Sequence, residues 1–396
     1  MMILFIYFIT ALTISLFGIK RAYQNKSYII LVWAVVFYYV ITSYISCHSY
    51  TNTYIPLNTK VLYFRNFTLC ILSFLLSDIC FNRSINRTIN IDTLPKWLVT
   101  CLECLFWFSL VMVFISLYGK SYSDFVTSSD GGGWGIIFFQ LSAGMMLYFS
   151  YKKAWIKVIV ASILIILIIS TTHVRSLFLY AFLPVIIYFI NSYYKENIPF
   201  KSFCVKILPL VLITVVIGFF FSAIRTGTLT LPETNLTDIS LSVLDRIESH
   251  NFQYQGFNSI KHYFWGFVSP VANQLGIQSN LPDSIPLMNA RYQMDISYSA
   301  LISNAVHFPA NIFHDMYLSW GNFACVFAFV FYSYLLFIIR IFQTNAKTLL
   351  LLSSTLPWHL YMLLRGSVDY SSMGISYALY FTLIIYIVSK LKLNLR

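Results

Sequence analysis

Long apolar runs separated by short basic loops are the dominant feature of this chain. The runs are about 17–25 residues long, the length that a helix needs to cross the hydrocarbon core of a bilayer at 1.5 Å per residue. Only 10% of the 396 residues are charged, whereas a soluble domain has about a quarter. A transmembrane β-barrel would show shorter, alternating segments instead. The sequence therefore predicts an all-α polytopic membrane protein.

We predict about eleven transmembrane helices from these runs (ten to twelve, since run boundaries are uncertain by several residues). Trp and Tyr residues cluster at several run ends, as is typical of side chains at the membrane interface. The predicted spans are residues 2–19, 28–47, 61–81, 97–118, 134–150, 155–172, 174–194, 203–224, 316–339, 348–364 and 371–389.

The distribution of Lys and Arg predicts the orientation of these spans. One set of alternate loops, together with the tail, holds 17 of the 26 basic residues. Basic residues favour the cytoplasmic side, so we expect this side to be cytoplasmic, with the N-terminus outside. The domain organisation is then about eight spans in 1–224, a large external loop in 225–315 and about three spans in 316–396.

The external loop is polar and contains several prolines, and loops of this length usually have a function. Within it, Leu236–His250 has apolar residues at helical spacing and is predicted to be an amphipathic helix at the membrane surface. A second apolar stretch, Tyr263–Leu275, is too short to span and is predicted to dip toward the interface.

The motifs that the sequence lacks argue against an ATPase, a nucleotide-cofactor enzyme and a zinc site. The sequence has no Walker motif, no GxGxxG after a strand, no HExxH, no GxSxG and no His/Cys metal spacing. The formal charge of +12 lies in short loops between spans, where it sets topology and does not indicate nucleic-acid binding. The lone Cys101–Cys104 pair falls in an apolar run and favours core packing. We expect neither a metal nor a cofactor.

Four arginines lie at the predicted external ends of spans, where the positive-inside bias disfavours them. A planar, permanently charged guanidinium at the edge of an apolar cavity suits an anionic ligand such as diphosphate. The alternative is that each side chain simply reaches lipid headgroups. As a group they favour a shared ligand, with Arg225 the weakest member; the four are Arg175, Arg225, Arg291 and Arg365.

His314 and Asp315 precede the predicted span 316–339. A histidine beside a carboxylate can act as a general base near neutral pH. Alternatively, Asp315 caps the N-terminus of the span. His173 and His262 are less specific candidates.

The segments STTHVRSLFLYAFL, FHDMYLSWGNFACVF and LLRGS, set in a chain with one long external loop, resemble bacterial O-antigen polymerases of the Wzy type. The resemblance extends over most of the chain and is carried by layout more than by a strict motif. HDMYLSWG is equally similar to the H-N-x-Y-L stretch of O-antigen ligases. The resemblance therefore allows two acceptors for the glycan. A polymerase would transfer it to a new lipid-linked repeat unit, and a ligase would transfer it to the lipid A core. The choice between them stays open here.

The resemblance implies a GT-C-like, metal-independent glycosyltransferase of the bacterial inner membrane, with a periplasmic active site. Its substrates would be oligosaccharides linked to undecaprenyl diphosphate, and its partners membrane lipids, a chain-length regulator and a flippase. The arginines would bind the diphosphate, His314 would activate the acceptor hydroxyl and Asp315 would orient it.

A lipid-linked oligosaccharide transporter is the alternative from another functional class. Transporters tend to have internal repeats and several ionisable groups near the midplane. The sequence shows no repeat, and Glu103 is the one acidic residue well inside a predicted span. Burial of Glu103 against a polar residue of a neighbouring helix is favoured over a relay role. These features favour the polymerase.

Overall fold

The structure, a computed structural model, describes residues 2–48, 57–84, 94–117, 133–172, 176–209, 258–272, 275–277 and 312–343, with a few scattered positions from 349 to 387. Almost all of these residues are helical, and none is in a strand. The all-α prediction is therefore confirmed for this part of the chain. The predicted amphipathic helix Leu236–His250 lies outside the described residues.

The helices follow the predicted apolar runs closely in the first half of the chain. In chain order they are α1 (Met2–Gln24), α2 (Ile30–His48), α3 (Leu57–Phe81), α4 (Lys96–Leu117), α5 (Gly133–Ser142), α6 (Met145–Tyr151), α7 (Trp155–Thr172), α8 (Ser176–Lys195), α9 (Asn258–Ala272), α10 (Ile312–Trp320) and α11 (Ala324–Phe342).

Four segments of the described helices are both long enough and apolar enough to cross a membrane. They are Met2–Gln24, Lys60–Phe81, Lys96–Ser116 and Gly321–Ile341, and shorter apolar helices occur at Ile30–Ile45, Ile137–Tyr151 and Trp155–Ile169. Many large apolar side chains on these helices are exposed, among them Ile156, Ile115 and Phe337. An exposed apolar surface on a helix suits lipid as its solvent. The chain thus has the character of a multi-pass membrane protein.

Helix α3 is the centre of one helical group, because it packs against both α1 and α11. Helix α1 also packs against α2, where the Trp33 ring lies on Gly18. A Cβ atom at Gly18 would be 2.3 Å from the Trp33 ring. Only glycine therefore allows this approach, in the way that small residues permit close packing of membrane helices.

The predicted span 134–150 is interrupted in the middle. Helix α5 ends at Ser142 and α6 begins at Met145. At the break, the Gly144 N–H donates to Ser354 Oγ at 2.9 Å, and Ser354 Oγ donates to the Leu141 carbonyl at 2.9 Å. The segment around Ser354 therefore satisfies backbone groups that the interruption leaves free, as a broken helix inside a membrane requires.

The loops that the sequence assigns to the cytoplasm lie together at one end of the helices, called the basic end here. Tyr23 O–H donates to the Ile198 carbonyl at 2.6 Å, and Lys26 Nζ donates to Asn197 Oδ1 at 2.8 Å. Gln343 Nε2 donates to the Lys26 carbonyl at 2.6 Å. Three loops that are far apart in sequence thus meet, as their predicted placement on one side requires.

A buried carboxylate joins α1, α3 and α11 at the basic end. The Asp78 side chain is fully buried, and its Oδ2 lies 3.0 Å from Arg21 Nε. Tyr332 O–H donates to Asp78 Oδ1 at 2.7 Å, and Asn82 Nδ2 donates to the same oxygen at 3.0 Å. Arg340 extends the network by donating to the Phe81 carbonyl at 3.1 Å.

Glu103 forms an ion pair with Lys157 of α7, with Oε1 and Nζ 2.5 Å apart. The predicted partner on a neighbouring helix is therefore present, but the predicted burial of Glu103 is wrong. The pair is partly exposed, since the side chains of Glu103 and Lys157 are 26% and 48% accessible. Lys195 Nζ lies 5.3 Å from the Tyr151 ring centroid, which places the 151–157 loop at the basic end as well.

Candidate functional site

The predicted anion-binding residues are not part of the described structure. Arg175, Arg225, Arg291 and Arg365 all lie outside the described residues, as does His173. Their proposed convergence therefore stays a prediction.

The His314–Asp315 pair lies in a helix of its own. Helix α10 begins at Ile312, so the backbone of both residues belongs to its first turn. The predicted span 316–339 covers the end of α10 and most of α11. The alternative in which Asp315 caps the N-terminus of a span is wrong. An N-cap residue has non-helical backbone angles and precedes the first turn, whereas three helical residues precede Asp315.

Helix α10 packs deep against the apolar surface of α3. Ile312, Phe313 and Met316 are all buried. The Phe313 ring centroid is 4.7 Å from that of Phe67 and 5.4 Å from that of Phe74. Because α3 runs from residue 57 to residue 81, these contacts lie halfway along it. Phe313, the neighbour of His314 in the chain, thus lies beside the middle of α3.

A sharp break separates α10 from the spanning helix α11. Gly321 has a φ of +53°, a left-handed conformation that glycine adopts at no steric cost. It begins a short 3₁₀ turn, Gly321–Phe323, after which α11 continues. Across the break the Trp320 and Phe327 rings stack with their centroids 5.3 Å apart. Gly321 therefore ends α10 and begins the turn that leads into α11.

The half of α3 that lies away from the basic end carries buried polar residues. Lys60 is 9% exposed, Tyr63 6% and Asn66 7%. Lys60 Nζ donates to the Cys47 carbonyl at 2.8 Å, and the Tyr63 and Ser43 hydroxyl oxygens are 3.2 Å apart. These positions are three residues apart, so they form one row of neighbouring side chains that turns by about 120° around the helix from Lys60 to Asn66. We call Lys60, Tyr63 and Asn66 the α3 polar stripe.

The α3 polar stripe and helix α10 adjoin each other. The Tyr63 ring stacks on Phe67 with the centroids 5.7 Å apart, and Phe67 in turn contacts Phe313 of α10. Helix α10 also packs against α9, the helix that contains His262. The stripe therefore lies next to the helix that contains the predicted catalytic pair.

The position of the stripe along α3 places it far from the basic end. Lys60 is 21 residues before Phe81, whose carbonyl binds Arg340. At 1.5 Å per residue this corresponds to about 31 Å, the thickness of the hydrocarbon core. If the basic end faces the cytoplasm, Lys60 lies at the opposite membrane face.

Lys60 was not singled out as a site residue by the sequence. The available signal was its location, because a lysine at the external end of a span opposes the positive-inside bias. Arg65 gives the same signal but is exposed. Hydropathy does not distinguish these two cations, since only tertiary packing buries one of them.

This arrangement brings hydrogen-bond donors and a cation to an apolar, largely water-excluded surface. Donors fixed in a low-dielectric site stabilise charge more strongly than donors in water. The described residues thus supply one end of a site that could hold an anionic group, with His314 and Asp315 on the adjoining helix.

Comparison with protein-family models, with curated proteins and with solved structures finds no match for this chain. The family resemblance therefore depends on the segments and layout described above.

Proposed function

We propose that this protein is a surface-polysaccharide polymerase of the O-antigen type. It has about eleven spans in a GT-C-like arrangement in the bacterial inner membrane, with its active site at the periplasmic face. It transfers a growing glycan from undecaprenyl diphosphate to the non-reducing end of a new lipid-linked repeat unit. The placement of α10 against the middle of α3 is the observation that carries the proposal.

The position of α10 suits this chemistry because the donor is a lipid. A polyprenyl tail lies among apolar helices, and for a reaction beside α10 its diphosphate has to lie between the external ends of those helices, below the membrane surface. A helix that is packed at membrane depth and has His314 and Asp315 in its first turn brings a base close to such a substrate. A surface loop would leave the base in water, farther from the lipid tail.

The reaction requires one bond to break and one to form. The bond between the anomeric carbon and the diphosphate oxygen breaks, and the acceptor hydroxyl oxygen attacks the same carbon. His314 takes the proton of that hydroxyl, and Asp315 orients the imidazole. Arg175, Arg291 and Arg365, supported by Arg225, stabilise the charge on the leaving diphosphate. Fixed cations supply this stabilisation without a metal.

Deletion of the gene in the native strain tests the proposal directly. Loss of a polymerase leaves single repeat units on the lipopolysaccharide core, which a gel resolves as one band in place of a ladder. A bare core would identify a ligase instead, and a normal ladder would refute both functions. The same gel thus separates the two acceptors that the family resemblance allows.

Variants of the predicted site residues, expressed in the deletion strain, test their roles. We expect His314→Ala to slow chain growth and Arg175→Ala or Arg365→Ala to abolish long chains, with normal membrane levels of each protein. His48→Ala and Arg65→Ala are matched controls, because both of these residues are exposed on described helices. Wild-type ladders from both arginine variants would contradict the diphosphate role.

A further inference from the structure

Lys60 is a buried cation whose charge is not neutralised by any carboxylate in the described part of the chain. Its ammonium group has three N–H donors, and one of them binds the Cys47 carbonyl. That carbonyl lies in the last turn of α2, where the helix dipole contributes about half an elementary negative charge. Within the described part of the chain, two of its donors and part of its charge therefore have no partner.

Asn66 supplies an independent sign of a missing partner. Its side chain is buried, and its Nδ2 has no hydrogen-bond partner among the described residues. A buried donor without a partner costs about 1–3 kcal/mol. Asn66 and Lys60 are about 9 Å apart along α3, with Tyr63 between them in the row. Two incompletely paired donors on one stripe indicate a ligand.

We propose that the α3 polar stripe binds a phosphate or diphosphate ester carried by a lipid. An anion with several acceptor oxygens neutralises Lys60, and the sugar or second phosphate attached to it accepts from Asn66. A single carboxylate is too short to serve both donors. Leu57 and Asn58, one turn before Lys60, are exposed, so the stripe is reached from the end of α3.

This site deepens the proposed polymerase function and rests on it for the identity of the lipid. The stripe leads from Lys60 toward Phe67, the residue that contacts α10, so a diphosphate bound at Lys60 lies about 10 Å along α3 from that contact. The site adds a cation on α3 to the four predicted arginines. Lys60 is therefore a binding residue for the substrate lipid.

The test measures binding of farnesyl diphosphate to the full chain, purified in detergent, by calorimetric titration. Lys60→Gln retains an N–H donor for the Cys47 carbonyl but removes the charge. We expect it to raise the dissociation constant at least tenfold, and Lys60→Arg to stay within threefold of wild type. Asn66→Leu should raise the constant by a smaller factor.

Arg65→Gln is the matched control, because it removes the same charge from the same helix at an exposed position. Equal affinity in wild type and Lys60→Gln, or an equal loss in Arg65→Gln, would overturn the proposal. If Lys60→Gln fails to fold, the comparison of Asn66→Leu with Arg65→Gln decides in its place.

Competition distinguishes the sources of the phosphate. Displacement of farnesyl diphosphate by phosphatidylglycerol micelles assigns the stripe to bulk lipid headgroups, whereas resistance to them assigns it to the polyprenyl substrate. Binding does not require polymer formation. A failed binding test therefore overturns this site alone, and a normal ladder in the deletion strain overturns the polymerase alone.

Discussion

Replacing Asp78 with Asn should destabilise the protein by about 2–3 kcal/mol. The substitution preserves side-chain volume and leaves Oδ1 to accept from Tyr332 and Asn82. It removes the negative charge that lies 3.0 Å from Arg21 Nε. The N–H of Arg21 is not aligned for a hydrogen bond to Oδ2, so the loss is mainly electrostatic.

The magnitude follows from the distance and the exposure of the pair. Two unit charges 3 Å apart interact by about 5 kcal/mol at an effective dielectric constant of 20. Asp78 is fully buried, but the Arg21 side chain is 29% exposed. Water therefore screens part of the attraction and solvates the guanidinium after the substitution. We therefore expect the substitution to lower the free energy of unfolding by about half of this Coulomb energy. This loss is slightly smaller than the roughly 3–5 kcal/mol measured when one partner of a fully buried ion pair is removed.

The assay is equilibrium unfolding of the full chain by sodium dodecyl sulfate in mixed micelles, followed by tryptophan fluorescence. Glu103→Gln is the matched control, since it makes the same carboxylate-to-amide change in a pair that is partly exposed. Such pairs contribute about 0–1 kcal/mol. A loss below 1 kcal/mol for Asp78→Asn, no larger than that of Glu103→Gln, would refute the electrostatic reasoning.

A double-mutant cycle refines the prediction. Asp78→Asn combined with Arg21→Gln should show a coupling energy of about 2 kcal/mol, because each single change removes the same interaction. Additive losses would show that the two charges do not stabilise each other.

Three further substitutions address close packing and loop contacts. Gly18→Ala should cost about 1–3 kcal/mol by overpacking against Trp33; the same unfolding assay measures it, and a neutral result would contradict the close approach. Gly144→Ala should cost a similar amount, because the new Cβ would meet the Leu350 carbonyl oxygen at 2.4 Å, and unchanged stability would count against that contact. Gln343→Leu should cost about 1–3 kcal/mol by leaving buried backbone groups unpaired, and thermal unfolding that matches wild type would exclude this role.

The sequence predicted the first helices well because a long apolar run has few alternatives in a membrane. Helices α3 and α4 end within a few residues of the predicted limits. Interruptions were harder to predict. Gly144 and Gly321 lie in apolar surroundings, where glycine alone does not indicate a break, and contacts with distant residues decide whether the helix continues.

Much less of the candidate site was accessible to prediction. A polar pair before an apolar run suggests the start of a span, so His314 and Asp315 were placed at the membrane surface. The aromatic contacts of Phe313 place α10 against the middle of α3, and no local pattern encodes them. Burial of Lys60 likewise depends on the position of α2, which hydropathy does not give.

The contacts of the basic end also constrain the order in which the protein can be built. Gln343 binds the Lys26 carbonyl across 317 residues of sequence. At about 5–20 residues per second, a ribosome needs roughly 15–60 s to synthesise the intervening chain. During that interval the first three helices have entered the membrane without their partner α11. Biogenesis of this protein therefore requires early helices that persist in the bilayer, incompletely paired, until the last quarter of the chain arrives.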